Sequence, residues 1–235
     1  MKEKQKKAVV LLSGGIDSAT TTAYALKNGY IIYAITFLYG QRHSTEIEFA
    51  KKLCAFFRIT NHLLIELPVQ IFSSSALSKA SDEIIPKNRD MSFSAKDDIP
   101  STYVPGRNIL FLSYALSFAE SINSRDIFIG ANAVDYSGYP DCRPEFLQSF
   151  EAMANIGTKA GIMGDGFKIR APLLDLKKSE IIKLGTNLGV DYSLTHSCYD
   201  PDPDGSSCGE CDSCQIRRKG FIEAGISDPT VYKKK

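Results

Sequence analysis

Apolar and polar positions along this chain switch between two periods. Residues 8–12, Ala-Val-Val-Leu-Leu, are a continuous apolar run, short enough for a strand buried on both faces. The run ends in Ser13-Gly14-Gly15, after which Asp17 to Lys27 reads as a helix stopped by Asn28-Gly29. Tyr30 to Phe37, rich in Ile, Tyr and Thr, predicts a second strand. The period then turns helical from Ser44 to Arg58. Ile47, Ala50, Leu53, Cys54 and Phe57 form one stripe there, and Ser44 is the candidate cap. Asn61 to Leu67 is a third strand. This β-α-β-α-β order with short connections predicts an α/β fold, a doubly wound parallel sheet with helices on both faces.

The pattern fails from Pro68 to Pro100, where Ser73-Ser74-Ser75, Pro86 to Asp90 and Lys96-Asp97-Asp98 predict a long surface excursion, a candidate lid. Helical periodicity resumes at Arg107 to Ser121, with Leu110, Tyr114, Ser117 and Phe118 on its stripe. Asp126 to Gly130 is a fourth strand and Pro144 to Met153 a helix. Lys168 to Ala171 is a fifth strand, and Lys178 to Leu188 a helix closed by Gly189. The expected organisation is an α/β domain over residues 1–192 and a metal-binding C-terminal segment over residues 193–235.

Composition narrows the function classes. The chain has 235 residues, 43% hydrophobic and 23% charged, with a formal charge of +1. That balance suits a soluble globular protein and argues against a broad polyphosphate-binding surface. Lys2 to Lys7 and Lys233 to Lys235 read as solvated tails. No run approaches the ~20 apolar residues of a membrane span, and the N-terminus lacks a signal-peptide pattern. A cytoplasmic protein that engages neither membrane nor nucleic acid is expected.

The turn after the first strand carries the clearest chemistry. A glycine-rich turn between a buried strand and a helix presents backbone N–H groups and the positive end of the helix dipole to an anion. No Gly-Lys-Ser/Thr follows, and the spacing is not G-x-G-x-x-G. The expected ligand is the pyrophosphate part of a nucleotide, held by Leu11, Leu12, Ser13, Gly14, Gly15, Ile16, Asp17 and Ser18. Asp17 is unusual beside phosphate unless it orients a metal or the ligand. In an open parallel sheet, ligands sit beyond the C-terminal strand ends, which would place Arg42, His43, Arg107 and Asn108 against the same nucleotide. Arg107 is favoured because Pro105 and Gly106 fix its backbone where a helix begins.

Four of the six cysteines crowd one end as Cys198-x9-Cys208-x2-Cys211-x2-Cys214. Four thiolates at this spacing suit a closed tetrahedral Zn²⁺ site; a redox pair or an iron–sulfur cluster are the alternatives. His196 is near enough to be a spare ligand but reads as a hydrogen-bonded histidine. Cys54 falls on an apolar stripe and reads as core. Cys142 reads as a bystander thiol, although its neighbour Arg143 leaves a nucleophile conceivable. The segment Asp135-Tyr136-Ser137-Gly138-Tyr139-Pro140-Asp141 offers carboxylates and aromatic faces of the kind a planar heterocycle with N–H donors needs.

Taken together, these segments resemble one family. Ser13 to Ser18 is similar to the signature of the ATP pyrophosphatases, the PP-loop superfamily. Gly40-Gln41-Arg42-His43, Val104 to Asn108, Gly130 to Glu145 and the four cysteines resemble, within it, the 7-cyano-7-deazaguanine synthases of queuosine biosynthesis. The resemblance implies a ligase that takes 7-carboxy-7-deazaguanine, ammonia and ATP, with Mg²⁺ on the phosphates, one structural Zn²⁺ and a homodimeric state. It implies catalytic roles for Asp17 and Arg107, and a deazaguanine pocket drawn from Asp135, Tyr136, Asp141 and Glu145. Two other classes remain open at this point: a PP-loop tRNA thiolase using Cys142, and a non-catalytic ATP-binding module.

Overall fold

A computed structural model describes residues 6–41, 45–89, 99–134 and 139–233. In chain order the elements are β1 (Lys6–Leu11), α1 (Ile16–Lys27), β2 (Tyr30–Leu38), α2 (Thr45–Phe56), β3 (Asn61–Glu66), α3 (Arg107–Ser121), β4 (Asp126–Phe128), α4 (Pro144–Gly157), α5 (Lys159–Ile162), β5 (Lys168–Arg170), α6 (Lys178–Asn187) and α7 (Asp212–Ala224). The strands form one sheet in the order β3-β2-β1-β4-β5, and every pairing is parallel.

The central strand explains the sheet. Ala8, Val9 and Val10 are completely buried, as a strand covered on both faces requires. Val9 and Leu11 face a core completed by Leu112 and Ala115 of α3 and Phe150 of α4. Ala8, Val10 and Leu12 face the opposite core, with Ala19 of α1, Leu53 of α2, Ile181 of α6 and Phe221 of α7. Each such aliphatic side chain contributes about 1.5–3 kcal/mol of burial. The connections run β1-α1-β2-α2-β3 to one side; α3 then carries the chain back across to β4 on the other side of β1. The order therefore reverses between β1 and β4, and that reversal opens a crevice at their C-terminal ends.

Two stretches depart from expectation. The excursion after β3 is not merely a surface loop in its first part: Phe72, Ala76, Leu77 and Ile85 are buried in the α3-side core, and residues 90–98 lie outside the described residues. Its buried side chains are separated by Ser, Lys and Pro at irregular spacing, so no period marks them. The second is α7, which the sequence pattern does not announce. It buries Asp212, Cys214, Arg217, Gly220 and Phe221, a set with one large apolar member, and packs against α6.

No helix among the described residues is long and apolar enough to cross a membrane.

Candidate active site

A cavity of about 260 Å³ occupies the crevice. Leu11, Leu12, Ser13, Gly15, Ile16, Asp17 and Ser18 line it from the turn after β1, and Arg107 and Asn108 from the start of α3. The turn is tightly built. Ser18 Oγ donates to Gly15 O at 3.0 Å, and Ser13 Oγ lies 3.2 Å from Ser18 Oγ. Ala19 N is bonded to Gly15 O at 3.0 Å, while the amides ahead of it belong to the first helical turn and have no i−4 acceptor. Gly14 itself is not on the wall. Its φ is +90°, and a Cβ there would meet Glu46 O at 2.6 Å, so it lets the turn press against α2. Across the crevice, a Cβ on Gly130 would meet the Asp17 backbone at 3.0 Å. The end of β4 can approach the turn only because this residue has no side chain.

Asp17 points into the cavity and is gripped by Lys178, whose Nζ donates to both carboxylate oxygens at 2.7 and 2.8 Å. Sequence reasoning missed Lys178, the first residue of α6 and only 8% exposed. A signal was available: a lysine in the first turn of a helix opposes the helix dipole, and such a residue needs an anion nearby. Here the anion is Asp17, and both groups face the space above the turn.

Arg107 is half-buried on the opposite wall. Its Nη1 donates to the Tyr39 hydroxyl at 3.2 Å, and its guanidinium lies 5.7 Å from the centroid of the Tyr39 ring. Burial works against the Arg107 charge, but the surrounding Tyr39, Tyr139, Asp141 and Cys142 raise its pKa above an already high value. Burial pushes the Tyr39 phenol up to about 12. The wall thus carries a fixed positive charge whose fork suits phosphate oxygens.

The predicted heterocycle residues divide. Asp141 is buried and committed to α3: its Oδ2 accepts from Asn108 N at 3.0 Å, and its carbonyl accepts from Asn108 Nδ2 at 3.0 Å. Because Gly106 supplies no side-chain cap for α3, Asp141 does so from 33 residues away. Glu145 is exposed on the first turn of α4 and does not line the cavity. Arg42, His43, Asp135 and Tyr136 lie outside the described residues. The cavity is lined further by Asn132, Tyr139 and Tyr199, with Ser213, Ile216 and Arg217 of α7. Arg217 is 2% exposed. It is held by Asp228 at 3.0 Å, Thr195 Oγ1 at 2.8 Å and Tyr192 O at 3.1 Å, which pins α7 in place as a wall.

Cys142 also lines the cavity. Asn108 Nδ2 donates to its sulfur at 3.3 Å, and burial pushes its thiol up to about 12. Cys54 is buried on the α1-side core.

The sulfurs of Cys198, Cys208, Cys211 and Cys214 all lie within 4.8 Å of one another. A tetrahedral shell with Zn–S bonds of about 2.3 Å needs sulfurs about 3.8 Å apart, so the set fits zinc with little adjustment. The thiol of Cys198 holds Cys211 below the usual range, and Cys198 and Cys214 are pushed above it in turn. The cluster can carry four thiolates only around a cation. The described end of the excursion grips this cluster: Asn88 N donates to Glu210 O at 2.9 Å, Lys87 pairs with Asp200 at 2.7 Å, and Arg89 pairs with the buried Asp212. On the other side His196 N donates to Gly14 O at 2.9 Å, joining the cysteine-bearing segment to the turn after β1.

The family model described as queuosine biosynthesis protein QueC matches residues 7–225. This chain belongs to the QueC family. A relative from Syntrophotalea carbinolica, named 7-cyano-7-deazaguanine synthase, is 56% identical over 228 residues, 97% of this chain and 96% of its own length. Another of that name, from Solidesulfovibrio magneticus, is 54% identical over 229 residues, 97% of this chain and 96% of its own length. Among solved structures, the NMN synthetase of Francisella tularensis aligns over 95% of this chain and 78% of its own, with a TM-score of 0.50 and 17% identity. At that identity the likeness concerns the fold alone, and it places the QueC chain among parallel α/β folds of this type.

Proposed function

We propose that this chain converts 7-carboxy-7-deazaguanine and ammonia to 7-cyano-7-deazaguanine at the expense of ATP, as an ATP-dependent carbon–nitrogen ligase. The observation that carries this is that, in a chain of the QueC family, the glycine-rich turn after β1, Arg107 of α3 and the aromatic side chains Tyr139 and Tyr199 line a single cavity. A carboxylate is a poor electrophile. Transfer of AMP to one of its oxygens, with loss of pyrophosphate, creates a leaving group, and ammonia displaces AMP to give an amide. A second adenylation, on the amide oxygen, allows elimination to the nitrile.

In this scheme the α1 amides, Ser13 and Ser18 hold the pyrophosphate. Lys178 and Arg107 stabilise charge as the α–β phosphate bond breaks, Lys178 from beside the turn and Arg107 from the facing wall. Mg²⁺, when bound, neutralises phosphate charge. Asp17 is the cavity-facing carboxylate at the phosphate end, so it would contribute the protein oxygen, the phosphates and water completing the shell. That role requires Lys178 to turn from Asp17 toward phosphate when ATP enters. The four cysteines would hold one structural zinc. A homodimer is part of the proposal, with size-exclusion light scattering as its measurement.

Arg107→Lys keeps the charge and loses the fork. It is expected to lower kcat about 100-fold, with ATP affinity changed less than tenfold; steady-state kinetics and ATP titration read the two. A sulfur-transfer reaction would instead need a reactive cysteine. Burial holds the Cys142 thiol protonated, so Cys142→Ser is expected to keep nitrile synthesis within about threefold of wild type, and loss of product would favour sulfur chemistry.

The direct test is ATP–pyrophosphate exchange without ammonia. Exchange should require 7-carboxy-7-deazaguanine; exchange indifferent to that acid, or none at all, would contradict the proposal.

A further inference from the structure

A second, much smaller cavity adjoins the first. It measures about 20 Å³, room for one molecule the size of water or ammonia. The two share Tyr39, Glu46, His196 and Tyr199 in their walls, so a molecule in the side cavity is one side chain away from the reaction space. Leu77 of the excursion closes part of its rim.

Among the described residues around the side cavity, Glu46 is the one carboxylate. It stands on the first turn of α2, and its Oε2 accepts from Gln41 Nε2 at 3.3 Å. Gln41 is fixed in turn: Nε2 also donates to Phe37 O at 3.0 Å, and Oε1 accepts from Tyr39 N at 2.9 Å. The carboxylate is thus oriented by an amide whose own groups are already used. Burial raises the Glu46 pKa, and only part of this is offset by Gln41 and Arg107. The two carboxylates on the described walls of the main cavity are Asp17 and Glu46. Asp17 is engaged by Lys178, whereas nothing in the phosphate chemistry uses Glu46.

We propose that the side cavity is the ammonium subsite of this enzyme and that Glu46 is the base that delivers ammonia from it. The assignment rests on the ligase reading above. Ammonium in solution has no lone pair to attack with; an anionic carboxylate facing a one-molecule cavity both attracts the cation and accepts its proton. Glu46 takes H⁺ from NH₄⁺, and the nitrogen lone pair of NH₃ attacks the carbonyl carbon of the acyl adenylate. The C–N bond forms, and the C–O bond to AMP breaks with its electron pair leaving on phosphate. The second proton passes from nitrogen to the departing phosphate of AMP, giving the amide and monoprotonated AMP. Atoms and charge balance without another reactant.

The two halves of the reaction separate this role from any other. Acid to amide needs ammonia; amide to nitrile needs ATP but no ammonia. Glu46→Gln, isosteric and still able to pair with Gln41, is expected to raise the apparent KM for ammonium, or to slow amide formation, at least tenfold. The same variant should convert supplied amide to nitrile within about twofold of wild type, with an unchanged thermal melt. Glu46→Asp should fall between the two. Equal losses in both halves would overturn the proposal and indicate that Glu46 contacts the deazaguanine or supports the fold. Full activity in both halves would reduce the side cavity to a water site. Failure of wild-type protein to adenylate the acid at all would refute the ligase reading instead.

Discussion

Replacing Asp17 with alanine is expected to abolish turnover, by at least about 1,000-fold in kcat, while leaving a folded chain. Both oxygens of Asp17 are held by Lys178 at 2.7 and 2.8 Å, so the variant loses two things. It loses the carboxylate proposed to hold the metal–phosphate complex, and it leaves a buried lysine without its partner. The second loss is moderated because Asp17 is 29% exposed to the cavity and water can enter beside Lys178. A stability cost of about 1–2 kcal/mol is expected, a shift of roughly 2–8 °C in Tm for a chain of this size. Kinetics and a thermal melt on the same sample distinguish the effects. Retained activity would contradict the assigned role, and a collapsed melt would make Asp17 chiefly a structural partner. Asp17→Asn, which keeps the shape, should be nearly as inactive and closer to wild type in Tm.

Cys211→Ser should be the most damaging single change to folding. Cys211 is completely buried, precedes the first turn of α7 as its cap residue, and bridges to Lys87 of the excursion. The zinc proposed for this cluster would supply roughly 10–16 kcal/mol of apparent binding energy, as much as the whole net stability of most domains. Losing it would release α7, and with it the Ser213, Ile216 and Arg217 wall, and would free residues 87–89 from their anchor. The variant is expected to be metal-free and largely insoluble. Chelation of the wild-type protein should reproduce the loss of near-ultraviolet circular dichroism. Metal analysis should give one zinc per chain; a wild-type protein that is folded and free of zinc would overturn this.

The sheet was legible from its central strand, because the run Ala8 to Leu12 is apolar on both faces and too short for a helix. The helix starting at Arg107 was legible because Pro105 and Gly106 punctuate it, and the turn that lines the cavity because two glycines and two serines follow a buried strand. Elsewhere local pattern gave no warning. Asp141 looks like a loop carboxylate until Asn108 is brought beside it. Lys178 looks like an ordinary helix-start lysine until α6 is packed on α1, when it meets Asp17. Arg217 reads as a solvated charge, yet it is among the most buried side chains because Asp228, Thr195 and Tyr192 take up its donors. Glu46 falls on the same α2 stripe as Ala50 and Leu53, and only the folded chain shows that His196 and Tyr199 meet it there to form a cavity wall. In each case the deciding partner lies far along the sequence, beyond the reach of any short-range pattern.

In the proposed reaction one cavity uses two ATP-derived activations to turn a carboxylate into a nitrile. It is tested most directly by product stoichiometry from purified protein, ATP, Mg²⁺, ammonium and 7-carboxy-7-deazaguanine. The predicted result is 7-cyano-7-deazaguanine with AMP and pyrophosphate each formed in a two-to-one ratio to the nitrile, and the amide appearing first. ADP and phosphate as the nucleotide products, or AMP formed with neither amide nor nitrile, would contradict it.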